Sequence, residues 1–498
     1  MRAALFLSSS IDAQIALIPD DAFYYLVPAR RFALEGIWSF DGVAASTGFH
    51  PLYAYLLAGV FRIAPDIGDA SLFALLTGAA TVLIAASAYL VSRAVARDFG
   101  AAGVLGVVLA FTAPIALRQQ TLFVESCLVI FFSSALLALL SHGRDLPRLS
   151  KRWLAGALLI GLFGNLARSD FGVLSASCMA ALWVLRGRSV GSETQLPLAA
   201  VATLGSGAGV ALISLHTLYW SGSVIQSSAR MKSHWGALRG YDVGGLIRWL
   251  VEFVAPRNMS WLGTRSGPLL VIGAGLLGVA NGIRTRAARL DQWPLAAGCA
   301  LCVAGYVVLY GRASSGVAPW YFANVLAALA YLLGGITVLI PGRVFVAAVA
   351  IVALCATPNT LSSLRPVWPH QTAMMSAGEF LRTHAEIDPV GSWNAGMISY
   401  FSRRPVTNLD GLINDEIYAY ATTDRLLDYL CARGIRYVLD FADNVENPAL
   451  AQRAGYADGR LRAALTEQRN FSNGDPLLQW TSTDLKLYRF DEAACRAH

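Results

Sequence analysis

Long apolar runs recur along the first 356 residues of the chain, and short polar segments separate them. A helix crosses the hydrocarbon core of a bilayer with roughly 20 apolar residues, or about 17 when it is short. Hydrophobic residues make up 55% of the 498 residues and charged residues only 14%, which excludes an ordinary soluble protein. Ten runs approach the required length and predict ten transmembrane helices: Asp69–Ser92, Phe99–Leu117, Leu122–Ser141, Trp153–Arg168, Phe171–Leu185, Leu196–Trp220, Ser266–Ile283, Gln292–Gly311, Val317–Ile340 and Val344–Ala356.

Basic residues mark every second connection between these runs. They are Arg93 and Arg97; Arg144, Arg148, Lys151 and Arg152; Arg186 and Arg188; Arg284, Arg286 and Arg289; and Arg343. Positively charged connections of membrane proteins stay in the cytoplasm. The pattern therefore predicts two long external loops, residues 20–68 and 221–265, and an external C-terminus. The net charge of +7 follows from these topology signals, so no nucleic-acid partner is predicted.

From Thr357 onward the composition is that of a soluble domain. Helical and strand-like patterns alternate there, which is typical of a small α/β domain. The predicted helices are Ala377–His384 and Thr423–Arg433, and the predicted strands are Pro389–Trp393, Val406–Asp410, Ile435–Phe441 and Leu485–Phe490. We therefore divide the chain into a transmembrane domain, residues 1–356, and a soluble domain, residues 357–498. Cys431 and Cys495 could pair if this domain is extracytoplasmic, which the sequence leaves open.

The first nineteen residues do not fit the predicted membrane topology. Met1–Pro19 is too short and too polar for a good span, because Asp12 and the run Ser8–Ser10 interrupt it. It also lacks a convincing signal-peptide cleavage site. We expect a start codon further upstream, and with it an eleventh transmembrane helix.

Two adjacent carboxylates, Asp20 and Asp21, follow at the predicted membrane surface. Burying two like charges without partners is costly. The acids either cap a helix predicted at Ala22–Gly36 or act in catalysis, where a carboxylate can remove the proton of a hydroxyl group. The presence of two acids together favours catalysis.

Further charged residues stand at the predicted outer ends of helices. Glu125 either forms a salt bridge with Arg118 or Arg168 or is a second acid of the same site. Arg168 and Asp170 flank a helix junction, where they either pair with each other or bind a substrate. Cys299 and Cys302 form a C-x-x-C inside an apolar run, which indicates packing thiols and no metal site.

The second external loop is rich in hydrogen-bond donors, which could bind an anionic headgroup or simply be solvated. The donors are Ser227, Ser228, Arg230, Lys232 and His234. Trp320 and Tyr321 begin a predicted span, where aromatic residues usually anchor a helix at the interface; contact with a ligand is the alternative. Helices on the membrane surface are predicted at Pro51–Ile63, which His50 precedes, and around Leu246–Phe253.

These residues form a recognisable pattern. The acid pair opens Asp20-Asp21-Ala22-Phe23-Tyr24-Tyr25, and Ser39-Phe40-Asp41-Gly42 and Thr47-Gly48-Phe49-His50-Pro51-Leu52 follow. The pattern resembles the first external loop of the GT-C fold glycosyltransferases, which include protein O-mannosyltransferases, lipid A aminoarabinose transferases and mycobacterial arabinofuranosyltransferases. Segments similar to a bacterial branch of this group are Leu166-Ala167-Arg168-Ser169-Asp170, Ser392-Trp393-Asn394-Ala395-Gly396 and Asn408-Leu409-Asp410-Gly411-Leu412.

The resemblance implies a polytopic α-helical protein of the bacterial cytoplasmic (inner) membrane, GT-C-like, with an extracytoplasmic α/β domain. It implies an inverting transfer of a sugar from a polyprenyl-phosphate donor to a glycan, lipid or protein acceptor at the outer face. Asp20 would be the general base, and Asp21 and Glu125 would shape the acceptor site or hold a divalent cation. His50, Lys232 and Arg230 would contact the lipid phosphate. Their positions in the sequence, not the resemblance, add Arg168, Asp170, His234, Trp320 and Tyr321 as candidate substrate-binding residues.

Two other classes of function remain as alternatives. A transporter or flippase of lipid-linked saccharides would also have many helices and a phosphate-binding cluster, but transporters often show internal repeats and charges at mid-membrane. A scaffold that binds cell-wall glycan would not need the Asp pair. For the transferase we expect Asp20, Asp21, Glu125 and Lys232 to line one outward-facing cavity.

Overall fold

The computed structural model describes residues 1–185, 192–239, 293–311, 319–337, 360–361, 363–471 and 484–496. The contacts divide the chain into two units. The first unit consists of Met1–Ser8, Phe73–Ile213 and Tyr241–Arg365. The second unit consists of Ser9–Leu72, Ser214–Gly240 and Pro366–His498, so that much of the predicted external loops groups with the C-terminal residues.

Helices dominate the described residues up to position 337. They are α1 (Arg2–Leu7), α2 (Ile11–Ile15), α3 (Phe23–Glu35), α4 (Pro51–Ile63), α5 (Asp69–Phe99), α6 (Val104–Thr112), α7 (Pro114–Arg118), α8 (Ser126–Gly143), α9 (Lys151–Ala167), α10 (Gly172–Val184), α11 (Ser192–Ser221), α12 (Ser227–Arg239), α13 (Trp293–Gly311) and α14 (Ala323–Thr337). Within the described residues, four segments are long and apolar enough to cross a membrane: Asp69–Phe99, Ser126–Gly143, Glu193–Ser221 and Trp293–Tyr310.

Close helix crossings build the core of the first unit. A Cβ atom on Gly106 of α6 would lie 2.4 Å from the carbonyl carbon of Leu333 on α14, so the two backbones touch. Small residues permit such contacts between membrane helices, where packing replaces the hydrophobic drive. Cys299 and Cys302 are buried in this core, as expected of packing thiols.

One predicted span, Phe99–Leu117, is wrong as a single helix. Helix α5 continues to Phe99, and Gly100 then takes a left-handed backbone with φ of 88°. A second break precedes Pro114, because a proline disfavours the helical conformation of the residue before it; Ala113 is extended, with ψ of 143°. The predictions at Ser266–Ile283, Val344–Ala356 and Leu246–Phe253 lie outside the described residues, as does the boundary at 356/357.

The C-terminal part of the second unit contains a five-stranded sheet in the order β2-β1-β3-β5-β4. Strands β2, β1 and β3 are parallel, and β5 and β4 are antiparallel to their neighbours. The strands are β1 (Val390–Ser392), β2 (Thr407–Asn408), β3 (Tyr437–Phe441), β4 (Leu465–Asn470) and β5 (Leu485–Phe490). The helices are α15 (Gln371–Thr383), α16 (Ala395–Ser402), α17 (Ile417–Ala421), α18 (Leu426–Ala432), α19 (Ala442–Glu446), α20 (Pro448–Ala454) and α21 (Arg460–Ala463).

This sheet confirms the predicted α/β domain. Strand β4 escaped prediction because nearly all of its residues are exposed and polar, so it carries no hydrophobic alternation. Cys431 at the end of α18 and Cys495 near the C-terminus form a disulfide across 64 residues of sequence. The bridge therefore ties the end of the chain to the helical side of the domain.

The segment 20–68, predicted to be the first external loop, docks on the turn after β2, within the second unit. Thr47 donates its backbone N–H (2.8 Å) and its hydroxyl (2.9 Å) to the carboxylate of Asp415. Gly48 lies so close to this turn that a Cβ atom there would be 1.6 Å from the carbonyl oxygen of Leu412. Helix α4 follows with the predicted bounds, Pro51–Ile63. The motif Thr47-Gly48 thus has a packing role that the sequence did not indicate.

We expect Gly48→Ala to destabilise the protein by about 1–3 kcal/mol, because the added methyl group must displace the backbone of Leu412. The melting temperature of the purified protein in detergent measures the loss. Gly59→Ala is the matched control, since a Cβ atom there meets nothing within 4 Å. Equal melting temperatures for both variants would contradict the docking.

Candidate functional site

Asp20 lies in a short 3₁₀ turn, Asp20–Ala22, and its side chain is buried in the second unit. It does not cap the helix that follows, because α3 begins at Phe23 with no side-chain cap. Its Oδ1 atom instead accepts a hydrogen bond from the backbone N–H of Met397 (2.6 Å), and Oδ2 accepts one from Gly396 (3.3 Å). Asp20 therefore does not follow the alternative of a local cap, since its carboxylate caps the distant helix α16.

No N-cap side chain binds the backbone N–H groups in the first turn of α16, so these groups can donate to the Asp20 carboxylate. Asn394, at the N-cap position, makes no capping bond, because its side chain donates to Asp440 (2.9 Å). The positive end of the helix dipole favours an anion there. Gly396 makes the approach possible: a Cβ atom would lie 2.6 Å from the backbone oxygen of Asp20 and 2.8 Å from its Oδ1.

A second acid, Asp410, joins the same region from the end of β2. Its Oδ1 accepts a hydrogen bond from the N–H of Leu412 (2.7 Å). The hydroxyl of Tyr24 lies 3.2 Å from Asp410 Oδ2 and 2.9 Å from the carbonyl oxygen of Trp393. Tyr24 therefore connects the helix after the Asp pair with the ends of β1 and β2.

The electrostatics of these acids are unusual. Burial raises the pKa of Asp20 to about 7, the negative charges of Asp21 and Asp410 add to the rise, and the amides of Met397 and Gly396 oppose it. Burial likewise raises the pKa of Asp410 to about 7, with a further contribution from Asp21. A carboxyl group poised near neutral pH is suited to general base catalysis.

The carboxyl ends of three parallel strands supply the rest of this site. Trp393 and Asn394 follow β1, Asp410 follows β2, and Asp440 lies near the end of β3. Open α/β sheets bind ligands outside the carboxyl ends of their strands. The sequence analysis singled out the segments after β1 and β2 but missed Tyr24 and Asp440. An acid inside the buried strand Ile435–Phe441 was the available signal for Asp440, which is fully buried.

The predicted donor cluster on α12 does not converge. Arg230 forms an ion pair with Asp415 (3.0 Å), so its charge is neutralised. Met231 is buried, and it packs in one apolar cluster with Ala421 of the sheet domain. Successive residues are about 100° apart around a helix, so Arg230 and His234 lie on one flank of Met231 and Lys232 lies on the other. Burial also lowers the pKa of His234, which favours its neutral form.

His50 precedes the first turn of α4, also in the second unit. Its backbone N–H donates to the hydroxyl of Tyr25 (3.3 Å), and its side chain is half-buried. The bond fixes the start of α4 against α3. Contact of His50 with a lipid phosphate stays a prediction.

Glu125, Arg168 and Asp170 form one buried network in the first unit. Arg168 donates to Glu125 Oε1 (2.9 Å) and to both oxygens of Asp170 (3.0 and 3.1 Å). Its side chain is 3% exposed and that of Glu125 is 4% exposed. The pairing alternatives considered from the sequence are therefore both present, and they account for the burial of these charges without a ligand.

The two aromatic residues predicted from the sequence, Trp320 and Tyr321, also contact this network. The carbonyl oxygen of Trp320 accepts a hydrogen bond from Arg168 (2.8 Å), and the ring of Tyr321 lies 5.3 Å from its guanidinium carbon. Trp320 and Tyr321 belong to the 3₁₀ turn Pro319–Phe322 before α14. Glu125 belongs to the first unit, whereas Asp20, Asp21 and Lys232 belong to the second. That these four side chains line one cavity stays a prediction.

The acids do not form a metal centre within the described part of the chain. No group of three or more His, Cys, Asp or Glu side chains is arranged there to hold a metal ion. The oxygens of Asp20 accept bonds from backbone amides, and those of Asp410 from Leu412 and Tyr24. Glu125, one of the two acids to which the resemblance assigned a possible divalent cation, is paired with Arg168, and we derive no step through a metal.

We expect the melting temperature to fall as pH rises from about 4 to about 7. An unfolded Asp has a pKa of about 3.9, whereas the pKa of folded Asp20 and of folded Asp410 is about 7. The folded state binds more protons between these values, so its stability is fully present below pH ~4 and is lost as pH rises through ~7. Asp20→Asn should flatten this slope, and Asp484→Asn, at an exposed position, should not. Equal slopes in all three proteins would refute the pKa assignment.

Arg168→Leu should destabilise the first unit by about 3–5 kcal/mol, because it leaves two buried carboxylates without their cation. Thermal unfolding in detergent measures the loss. The control is Arg425→Leu, whose ion pair with Asp428 is exposed and contributes at most about 1 kcal/mol. A loss no larger than that of the control would show that the network does not stabilise the fold.

Comparison with solved structures identifies the fold. The crystal structure of ArnT from Cupriavidus metallidurans bound to undecaprenyl phosphate matches with a TM-score of 0.58 and 13% identity, covering 98% of this chain and 97% of that one. The archaeal oligosaccharyltransferase AglB from Archaeoglobus fulgidus, in complex with an inhibitory peptide and a dolichol-phosphate, matches with a TM-score of 0.53 and 15% identity, covering 97% of this chain and 76% of that one. These likenesses confirm the GT-C fold of a polytopic membrane protein.

Sequence comparisons add little to the fold. A family model described as a domain of unknown function (DUF8728) matches residues 364–488, which include the whole sheet except its last two residues. No curated protein shows significant similarity to the sequence.

Proposed function

We propose that the chain is a membrane glycosyltransferase. It moves a sugar from a polyprenyl-phosphate donor to an acceptor hydroxyl at the outer face of the cytoplasmic membrane, with Asp20 as the general base. The observation that carries the proposal is the buried Asp20 carboxylate, held by the amides of Gly396 and Met397 with a pKa of about 7. The fold shared with ArnT and AglB supports the donor class, since those structures contain undecaprenyl phosphate and dolichol-phosphate.

The chemistry follows from the properties of the base. Asp20 removes the proton of the acceptor hydroxyl while the oxygen attacks the anomeric carbon from the face opposite the phosphate. The new C–O bond forms as the bond to the phosphate oxygen breaks, so the configuration inverts. The polyprenyl phosphate leaves with the electron pair, and the proton stays on the Asp20 carboxyl. Asp21, half-buried on the same turn, lies where it can orient the acceptor.

The remaining predicted residues take supporting roles in this proposal. His50 and Lys232 are the candidate partners of the donor phosphate, and their cationic forms would stabilise the leaving group. Arg230 and His234 contribute less, because Asp415 neutralises Arg230 and His234 favours its neutral form. The network of Glu125, Arg168 and Asp170, with Trp320 and Tyr321, would shape the substrate site through its rigidity.

The disulfide supports the external placement of the sheet domain. Disulfides persist in oxidising compartments and are rare in the cytosol. The bond between Cys431 and Cys495 is therefore expected of an extracytoplasmic domain. The basic connections that predict the cytoplasmic side point to the same orientation.

Asp20→Asn should reduce sugar transfer by about 10²–10⁴-fold, because an amide cannot accept the hydroxyl proton. The assay presents purified protein in lipid nanodiscs with a panel of polyprenyl-phosphate sugars and candidate acceptors, and it follows release of the free lipid phosphate. Asp66→Asn, at an exposed position of the same external loop, is the control and should keep full activity.

Two outcomes would overturn the proposal. Full turnover of the Asp20→Asn protein would exclude Asp20 as the base. Movement of the lipid-linked sugar across a bilayer, without cleavage of its glycosyl phosphate bond, would identify a flippase.

A further inference from the structure

We propose that the sheet domain sets the charge state of Asp20 through two opposed influences, a hydrogen-bonded helix turn and a neighbouring negative charge. The first-turn amides of α16 hold the ionised carboxylate, and the carboxylate of Asp410, anchored through Tyr24, opposes its charge. For catalysis this assignment rests on the proposed function, in which Asp20 is the base. Gly396, Met397 and Asp410 are then positioning residues, which act on the acceptor through Asp20.

The first influence favours the ionised form. Each oxygen of Asp20 faces one amide, Met397 N at 2.6 Å and Gly396 N at 3.3 Å. Backbone amides at a helix N-terminus stabilise a carboxylate, and they cannot rotate away from it. The approach requires glycine at position 396, since a Cβ atom there would come within 2.8 Å of Asp20 Oδ1.

The second influence, the negative charge of Asp410, favours the protonated form of Asp20. Asp410 leaves β2 towards the same region, where Tyr24 Oη lies 3.2 Å from its Oδ2. Tyr24 also contacts the carbonyl oxygen of Trp393, two residues before the start of α16, so one side chain ties Asp410 to the helix that holds Asp20. Like charges at such a site cannot all ionise freely.

Other groups around Asp20 do not reverse the opposition between the α16 amides and the charge of Asp410. Asp21, on the same turn, adds a negative charge to that of Asp410. Gln371 of α15 is neutral and accepts a hydrogen bond from the backbone N–H of Asp20, with its amide oriented to satisfy both polar atoms. The titratable side chain of α16, Tyr400, donates to Asp69 (2.7 Å). Arg453 acts on the other acid, since its charge lowers the pKa of Asp410.

Burial raises the pKa of Asp20 most, and these two influences then act on it in opposite directions. The amides lower the pKa and favour the ionised carboxylate, whereas the neighbouring acids raise the pKa and strengthen Asp20 as a base. A general base is most effective when its pKa lies near the working pH. The sheet domain thus contributes to the reaction through the basicity of a residue that belongs to the first external loop.

Two substitutions should move the titration of Asp20 in opposite directions. Asp410→Asn removes an opposing charge, so the acid limb of the pH–rate profile of sugar transfer should shift to lower pH. Gly396→Ala pushes the carboxylate off its amides, so the same limb should shift to higher pH. Asp484→Asn and Gly59→Ala are the matched controls and should leave the limb unchanged.

An infrared titration provides a second readout that needs no activity. Protein labelled with ¹³C-aspartate is titrated, and the spectrum of the Asp20→Asn protein is subtracted to isolate the Asp20 carboxyl. Opposite shifts of this midpoint in Asp410→Asn and Gly396→Ala are the expected result. If they occur while the wild type transfers no sugar, the proposed function fails and the control of the Asp20 charge stands.

Shifts in the same direction, or none, would overturn the control of Asp20 by the sheet domain, even if sugar transfer is observed. Should Gly396→Ala not fold, Asp410→Asn decides alone. An Asp20 titration midpoint of the Asp410→Asn protein at or above that of the wild type would then contradict the proposal.

Discussion

A buried carboxylate needs hydrogen-bond donors, and Asp20 finds them on a helix 376 residues further along the chain. This bond couples the start of the first external loop to the sheet domain. It demands an uncapped first turn on α16, a glycine at position 396, and an N-cap residue, Asn394, whose side chain is engaged elsewhere. Much of the local sequence after β1 follows from this one contact.

The same loop makes a second attachment to the sheet domain. Thr47 binds Asp415, and Gly48 packs against the carbonyl of Leu412, so the loop is held at its start and near its middle. The two attachments of the loop, at Gly396-Met397 and at Leu412–Asp415, lie on either side of Asp410 in the sequence. The acid is therefore fixed relative to the Asp20–Ala22 turn by backbone packing as well as by Tyr24. A rigid frame of this kind is what a preorganised polar site requires.

The sequence predicted features that depend on local pattern. Apolar length predicted the long helices, the proline after His50 predicted the start of α4, and alternation predicted four of the five strands. The break near Gly100 was missed because hydropathy ignores backbone conformation. The partners of Asp20 and Arg230 were missed because both bonds join residues far apart in the chain, at Met397 and Asp415. Long-range pairing leaves no periodic signal in a single sequence.

The charges of the molecule fall into two kinds. Arg168 is fully partnered by protein groups, which explains its burial without a ligand. Asp20 and Asp410 accept hydrogen bonds from neutral groups, the backbone amides of Met397 and Leu412, and burial raises the pKa of both to about 7. The central claim is that this acidic site receives the sugar. A structure of the protein in a nanodisc with a non-hydrolysable polyprenyl-phosphonate sugar tests it most directly. We predict the sugar beside the Asp20–Ala22 turn, with its anomeric carbon facing that turn; a sugar bound away from both Asp20 and Asp410 would contradict the account.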